Sequence, residues 1–241
     1  PSFDAYQKEI IKSLETLVNL LKTEDKILVA QFGQKLKIKT PLTDDRKKII
    51  DAIEDKNIEE GTSIYDTIKT LEDEHLQKNS GQNLVIFISD GVDTTSTKET
   101  YESALKIAEK SNAGFFVIKI DTFQEFGKNG KNRRSSIPNN TILGDILGQI
   151  INGGGYGATE EEYKIGEQFM TELVASTGGR MVEVDRNLND LKKAIQIIGV
   201  TIRLQQFIGY KSKSSENNKR KELKVRVNRP NLIVRIRDNY Y

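Results

Sequence analysis

The stretch Leu84-Val85-Ile86-Phe87-Ile88-Ser89-Asp90-Gly91-Val92-Asp93-Thr94-Thr95-Ser96 decides how the rest of the chain is read. Five apolar residues in succession, three of them β-branched, predict a strand buried on both faces, as inside a parallel sheet. The run halts at Ser89-Asp90-Gly91, where glycine permits a sharp exit and leaves Asp90 at the strand's carboxyl end. In open α/β sheets that end is where ligands bind. A carboxylate followed by Asp, Thr and Ser offers hard oxygen donors and no soft ones, a set suited to Mg²⁺, Ca²⁺ or Mn²⁺ rather than zinc.

Composition narrows the chemistry further. The 241 residues suffice for one α/β domain of ordinary size with an appendage. There is no Cys, so disulfides, thiolate zinc sites and cysteine nucleophiles are excluded. The single histidine, His75, lies in the polar run Glu72-Asp73-Glu74-His75 and is expected on a solvated surface, which argues against Ser-His-Asp catalysis and histidine metal sites. A net charge of +2 with 30% charged residues gives no global bias toward nucleic acid. No apolar run is long enough to cross a bilayer. The chain begins at Pro1 rather than Met and shows no signal-like segment, as a processed product or an excised piece would.

Upstream of the central strand, Phe3, Tyr6, Ile10, Leu14, Leu17, Val18 and Leu21 fall at helical spacing. Lys26 to Phe32 reads as a short strand, Gly33-Gln34 as a two-residue type II′ turn, and Lys35 to Lys39 as an edge strand with one wet face that ends at Pro41. Thr43-Asp44-Asp45 caps a helix running to about Asp55. Gly61-Thr62-Ser63 then opens a helix whose apolar stripe is Ile64, Ile68 and Leu71. Its hydroxyls either cap the free amides or face a cation in the crevice that holds Asp90, and neighbouring residues can do both.

Downstream, Lys98 to Lys110 is helical and Phe115 to Ile120 is a second buried strand. Residues 121–160 change character to Gly, Asn, Ser and basic residues, as in a flexible insertion. Gly153-Gly154-Gly155-Tyr156-Gly157 lies there, but no strand leads directly into it, which argues against a phosphate loop. A helix from Glu161 to Ser176 is closed by Gly178-Gly179 with a left-handed cap, followed by a strand at Arg180 to Val184 and a helix at Leu188 to about Ile202. In the tail, Leu223, Val225 and Val227, then Leu232, Val234 and Ile236, alternate with polar residues as in a hairpin with one face buried. Its basic residues fall on outward positions, with no interleaved aromatics to stack on nucleic acid.

Alternating strands and helices with one antiparallel edge hairpin describe an α/β fold with a doubly wound, mostly parallel, Rossmann-like sheet. In detail the chain resembles a von Willebrand factor type A (VWA) domain. Gly61-Thr62-Ser63-Ile64-Tyr65-Asp66-Thr67-Ile68 is similar to that family's second metal loop, and Ile88-Ser89-Asp90-Gly91-Val92-Asp93 to its third. Ser176-Thr177-Gly178-Gly179-Arg180 resembles the turn before its last strand. Phe207-Ile208-Gly209-Tyr210 and the ending Val234 to Tyr241 resemble the bacterial subgroup first noted in Acidobacteria.

The resemblance implies residues 1–203 as the VWA-like domain and 204–241 as a β-hairpin extension. It implies a metal-ion-dependent adhesion site with Thr62 and Asp90 as ligands and Ser63 and Asp93 in the surrounding shell. That site would hold Mg²⁺, or Ca²⁺ or Mn²⁺, and take an acidic residue from a partner protein. An exported or envelope location goes with it. The family's first loop, Asp-x-Ser-x-Ser, has no counterpart here, so a first strand, central in the order 3-2-1-4-5-6, and up to three ligands are expected to be missing. Mg²⁺ binding by these residues alone is then expected to be weak or absent.

Two competing functions are less well supported. A haloacid-dehalogenase-like, Mg²⁺-dependent hydrolase centred on Asp90 would need two carboxylates separated by one residue, whereas two residues separate Asp90 from Asp93. A dinucleotide binder would need a glycine fingerprint after its first strand, which is not found.

Overall fold

A computed structural model describes residues 3–55, 61–79, 81–121, 158–185, 190–205, 221–222, 225–228, 236 and 239–240. The elements run α1 (Phe3–Leu20), β1 (Ile27–Phe32), β2 (Leu36–Thr43), α2 (Arg46–Glu54), α3 (Ile64–Leu71), β3 (Leu84–Ser89), α4 (Tyr101–Lys110) and β4 (Gly114–Ile120). They continue with α5 (Glu160–Thr177), β5 (Met181–Val184), α6 (Leu191–Leu204), β6 (Lys221–Glu222) and β7 (Asn239–Tyr240).

Strand β4 is the centre of a parallel sheet ordered β3-β4-β5. It pairs with β3 from Leu84↔Gly114 to Ser89↔Lys119, and with β5 from Val117↔Met181 to Ile120↔Val184. All seven of its residues are buried. Successive side chains alternate between faces, so Phe116, Ile118 and Ile120 meet Leu17 of α1 and Leu191, Ala194, Ile195 and Ile198 of α6. Phe115 and Val117 meet the opposite layer, built from Ile64 and Ile68 of α3, Ala104 and Ala108 of α4, and Phe169, Met170 and Leu173 of α5. Helices therefore cover both faces, the doubly wound α/β arrangement expected.

The strand read from sequence as buried on both faces is only half-buried: of the β3 residues, Phe87 and Ser89 alone are buried. The reason is position. Among the described residues β3 has β4 on one side and no hydrogen-bonded strand on the other, while β1 and β2 form a separate antiparallel pair. Side chains, not ladder bonds, hold that pair beside β3: the Phe32 and Phe87 rings meet edge-on, 5.4 Å between centroids.

Several local expectations are corrected. The β1–β2 connection is a three-residue loop, with Phe32 opposite Leu36 and the Gly33 N–H donating to the Lys35 carbonyl at 3.1 Å. Gly33 is not among the glycines of positive φ, so the turn is not type II′. Strand β2 runs through Pro41 to Thr43, which an edge strand tolerates because the missing N–H falls outside the ladder. His75 lies in a π turn, Glu72–Leu76, that extends α3. The wider turn shifts the helical register, and the imidazole is half-buried rather than solvated, its Nε2 enclosed without a partner among the described residues. Val225 and Val227, expected on the inner face of a tail hairpin, are 40% and 44% exposed and outside any strand. Only the short β6–β7 pair, Lys221↔Tyr240 and Glu222↔Asn239, is described there. Of the other hairpin positions Ile236 is half-buried and outside any strand, while Leu223, Leu232 and Val234, the 122–157 part of the insertion and its glycine run lie outside the described residues.

Helix boundaries follow the caps read from sequence. Asp45 accepts from the Lys47 and Lys48 amides to start α2, and Gly178, at φ 73°, ends α5. The next residue, Gly179, packs so closely on Phe115 of β4 that a Cβ there would overlap its backbone carbonyl. Gly179→Ala is expected to destabilise the fold by about 1–3 kcal/mol, the range for forced overpacking, seen as a lower urea midpoint at unchanged m-value.

Candidate metal site

Helix α3 begins without a cap of its own. The N-cap residue, Ser63, makes no side-chain bond to the first turn. Its hydroxyl donates instead to the Gly33 carbonyl at 2.7 Å, and its amide donates to the same oxygen at 2.9 Å, so Ser63 pins the β1–β2 loop. The exposed amides of α3 are met from the loop after β3. Asp93 Oδ2 accepts from the Tyr65 amide at 2.9 Å, and Ser96 Oγ accepts from the Asp66 amide at 3.1 Å. Ser96 is itself held by Asp93, its hydroxyl donating at 2.6 Å and its amide at 2.9 Å.

The lacing also runs in reverse. The Asp66 carboxylate accepts from the backbone amides of Thr97 (3.0 Å), Lys98 (3.1 Å) and Glu99 (2.8 Å). Burial works against its charge, but those three amides and the nearby Lys98 outweigh it and hold the carboxyl below the usual range. The Thr62 carbonyl accepts from the Thr94 and Thr95 amides at 2.8 and 3.1 Å, and the Thr62 amide donates to Thr94 Oγ1 at 3.0 Å. Tyr65, packed between Tyr101 and Phe169, has its phenol pushed up to about 12 by burial and then by the Asp93 charge.

Within this frame Asp90 is 2% exposed, and its Oδ1 accepts from the Val92 amide at 3.1 Å in a turn that Gly91 makes at φ 89°. Thr62 is 6% exposed, and its hydroxyl makes no hydrogen bond among the described residues. The fold thus brings together the two segments that carry Thr62 and Asp90. It commits Ser63 to the hairpin loop and Asp93 to the start of α3.

Three contributors were not singled out from sequence. Asp66 looks like an ordinary acidic residue in a helix's first turn, and Ser96 like a loop serine; the partners that join them to the opposite segment are 30 to 33 residues away. Lys119 is the third. It is 7% exposed, sits opposite Ser89 in the sheet, and donates to Glu167 at 2.6 Å and Glu183 at 3.1 Å. Burial would lower its pKa, but the two carboxylates raise it above the ordinary lysine value.

One carboxylate and one hydroxyl, both hard oxygens, fit part of the shell of Mg²⁺, Ca²⁺ or Mn²⁺. They are not a full set, and among the described residues no group of three or more His, Cys, Asp and Glu stands ready to hold a metal.

Helices on both faces of a parallel sheet, with an oxygen-lined rim at its carboxyl edge, define a doubly wound α/β binding domain. The sequence pattern of the von Willebrand factor type A domain matches residues 3–142, and the chain belongs to that family. Among solved structures it is similar to the conserved hypothetical protein BatB from Bacteroides thetaiotaomicron, at 18% identity over 82% of this chain and 88% of that one, with a TM-score of 0.51. An aerotolerance-related membrane protein from Bacteroides fragilis NCTC 9343 shows 17% identity over 81% and 88%, with a TM-score of 0.49. The manganese-loaded Plasmodium vivax TRAP protein shows 16% identity over 70% and 68%, with a TM-score of 0.39. The likeness to BatB shows a shared fold; the other two are similarities only. No curated protein matches the chain.

Because the folded Asp66 carboxyl titrates below its ordinary value of 3.8, its contribution is complete above that value and is lost as pH falls through the folded pKa. Asp66→Asn is expected to cost about 1.5–3 kcal/mol at neutral pH, the range for bonds to a charged acceptor. It should also flatten the acid limb of the stability–pH curve measured by urea denaturation.

Proposed function

We propose that this domain is a non-enzymatic protein-interaction module in which a divalent cation, held at the carboxyl edge of β3 by the Thr62 hydroxyl and the Asp90 carboxylate, binds an acidic residue of a partner protein. One observation carries this. The lacing of the rim uses Ser63, Asp66, Asp93 and Ser96 for structure, yet leaves the Thr62 hydroxyl without a hydrogen bond among the described residues, on the segment tied to the Asp90 loop. That hydroxyl is not among the enclosed polar atoms, so it is open at the rim as a hard oxygen donor that a cation can take.

Mg²⁺ is the proposed ion, with Ca²⁺ and Mn²⁺ able to use the same oxygens. When bound, the ion supplies a positive centre with coordination positions to spare. The chain's part is to hold two oxygens in place and contribute only one negative charge, so that an outside carboxylate remains attractive to the ion. With so few protein ligands the affinity of the isolated chain is expected to be weak, at or above a dissociation constant of about 10⁻⁴ M. No helix among the described residues is long and apolar enough to cross a membrane. An envelope or extracellular location belongs to the same proposal and rests on the resemblance of the chain to its bacterial subgroup.

Mn²⁺ titration followed by amide line broadening tests the site even at weak affinity. The amides of Thr62, Ser63, Asp90, Gly91 and Val92 should broaden first, Mg²⁺ should reverse the effect, and Asp90→Asn or Thr62→Ala should suppress it with the fold intact by circular dichroism. Broadening centred elsewhere, or unchanged in Asp90→Asn, would contradict the proposal.

A further inference from the structure

We propose that Gly166 and Glu167 of α5 are positioning residues for Asp90, so that the cation site is set from the helix packed behind it; this rests on the cation reading above. Gly166 is buried in the middle of α5 and meets the turn after β3 backbone to backbone. A Cβ on Gly166 would lie 2.5 Å from the Gly91 carbonyl oxygen, 2.6 Å from its carbon and 3.1 Å from the Val92 nitrogen. Those atoms form one peptide unit, and its N–H is the group that donates to Asp90 Oδ1. Any side chain at 166 must therefore displace the peptide that orients the Asp90 carboxylate.

The contact is equally close when viewed from the turn. Gly91 already has a positive φ of 89°, and a Cβ there would lie 3.0 Å from the Gly166 carbonyl. The next residue of α5 supplies a second tether. Glu167 accepts from Lys119 Nζ at 2.6 Å, and Lys119 pairs across the sheet with Ser89, the residue before Asp90. Ser89 in turn accepts from the Gly91 amide through its hydroxyl at 3.1 Å. Helix α5 thus grips the Asp90 turn at its peptide and, through the ion pair, at its root.

Dense packing alone would look different. Gly199 of α6 is also closely packed, but its nearest neighbour is the end of a flexible side chain, Leu20 Cδ1 at 2.8 Å, far along the chain from the rim. Gly199→Ala is therefore the packing control for Gly166→Ala. Relative to wild type, Gly166→Ala should weaken Mn²⁺ binding about tenfold or more, as loss of a supporting contact around a metal ligand does. Without any metal, it should also speed hydrogen exchange of the Val92 amide relative to the β4 amides. Gly199→Ala should leave both readouts alone. Glu167→Gln should shift Mn²⁺ affinity in the same direction by a smaller factor.

Wild-type Mn²⁺ affinity and Val92 exchange in a folded Gly166→Ala would overturn the proposal, as would equal effects from Gly199→Ala. If the wild-type chain binds no Mn²⁺ at this rim, the cation reading fails. The Val92 exchange comparison still decides whether α5 positions the turn.

Discussion

The first amides of α3 have no partners within their own helix, and every helix start must find acceptors for such groups. Here the acceptors come from the far end of the next strand: Asp93 and Ser96 bind the Tyr65 and Asp66 amides, and Asp66 returns the bond to three amides of the same loop. Each loop therefore terminates the other's unsatisfied backbone. Charge-assisted bonds of this kind are the stronger class, and they lie next to a packed aromatic cluster of Tyr65, Tyr101 and Phe169. The geometry of the rim is a by-product of solving a capping problem in trans.

That solution also ties in the smaller sheet. Ser63 is freed from capping and spends both its hydroxyl and its amide on the Gly33 carbonyl. Beside it, Gly61 is fitted so closely that a Cβ would meet Thr95 Cγ2 at 2.8 Å. The β1–β2 pair shares no ladder with β3 among the described residues, so this knot and the Phe32–Phe87 contact carry much of its registration. Beneath the knot, β4 supplies the rigid floor, with both faces roofed by helices and its carboxyl end fixed by the Lys119 ion pairs.

Features governed by near neighbours in sequence were legible before the fold was known. The β4 strand, the α2 cap at Asp45 and the left-handed end of α5 at Gly178 each depend on a few adjacent residues. So did the two segments of the rim, because glycine, hydroxyl and carboxylate groups bordering apolar runs are locally visible. The division of labour inside the rim was not. Ser63 fits an N-cap by every local rule, yet a carboxylate from residue 93 occupies that role better, being charged and already held by Ser96. The burial of β3 was misjudged for a related reason: an apolar run shows that a strand can be buried on both faces, not that a neighbour lies along both edges. Lys119 gave no signal at all, since its two partners lie 48 and 64 residues further on.

The central claim is that the segments bearing Thr62 and Asp90 form one rigid unit through mutual capping. Native-state hydrogen exchange of the metal-free chain tests it most directly. If the claim holds, the amides of Tyr65, Asp66, Thr94, Ser96 and Glu99 are protected and open together, with a common free energy close to that of the β4 amides. Exchange of Thr94, Ser96 and Glu99 at solvent-limited rates, while α3 and β4 remain protected, would show two independent loops and contradict the account.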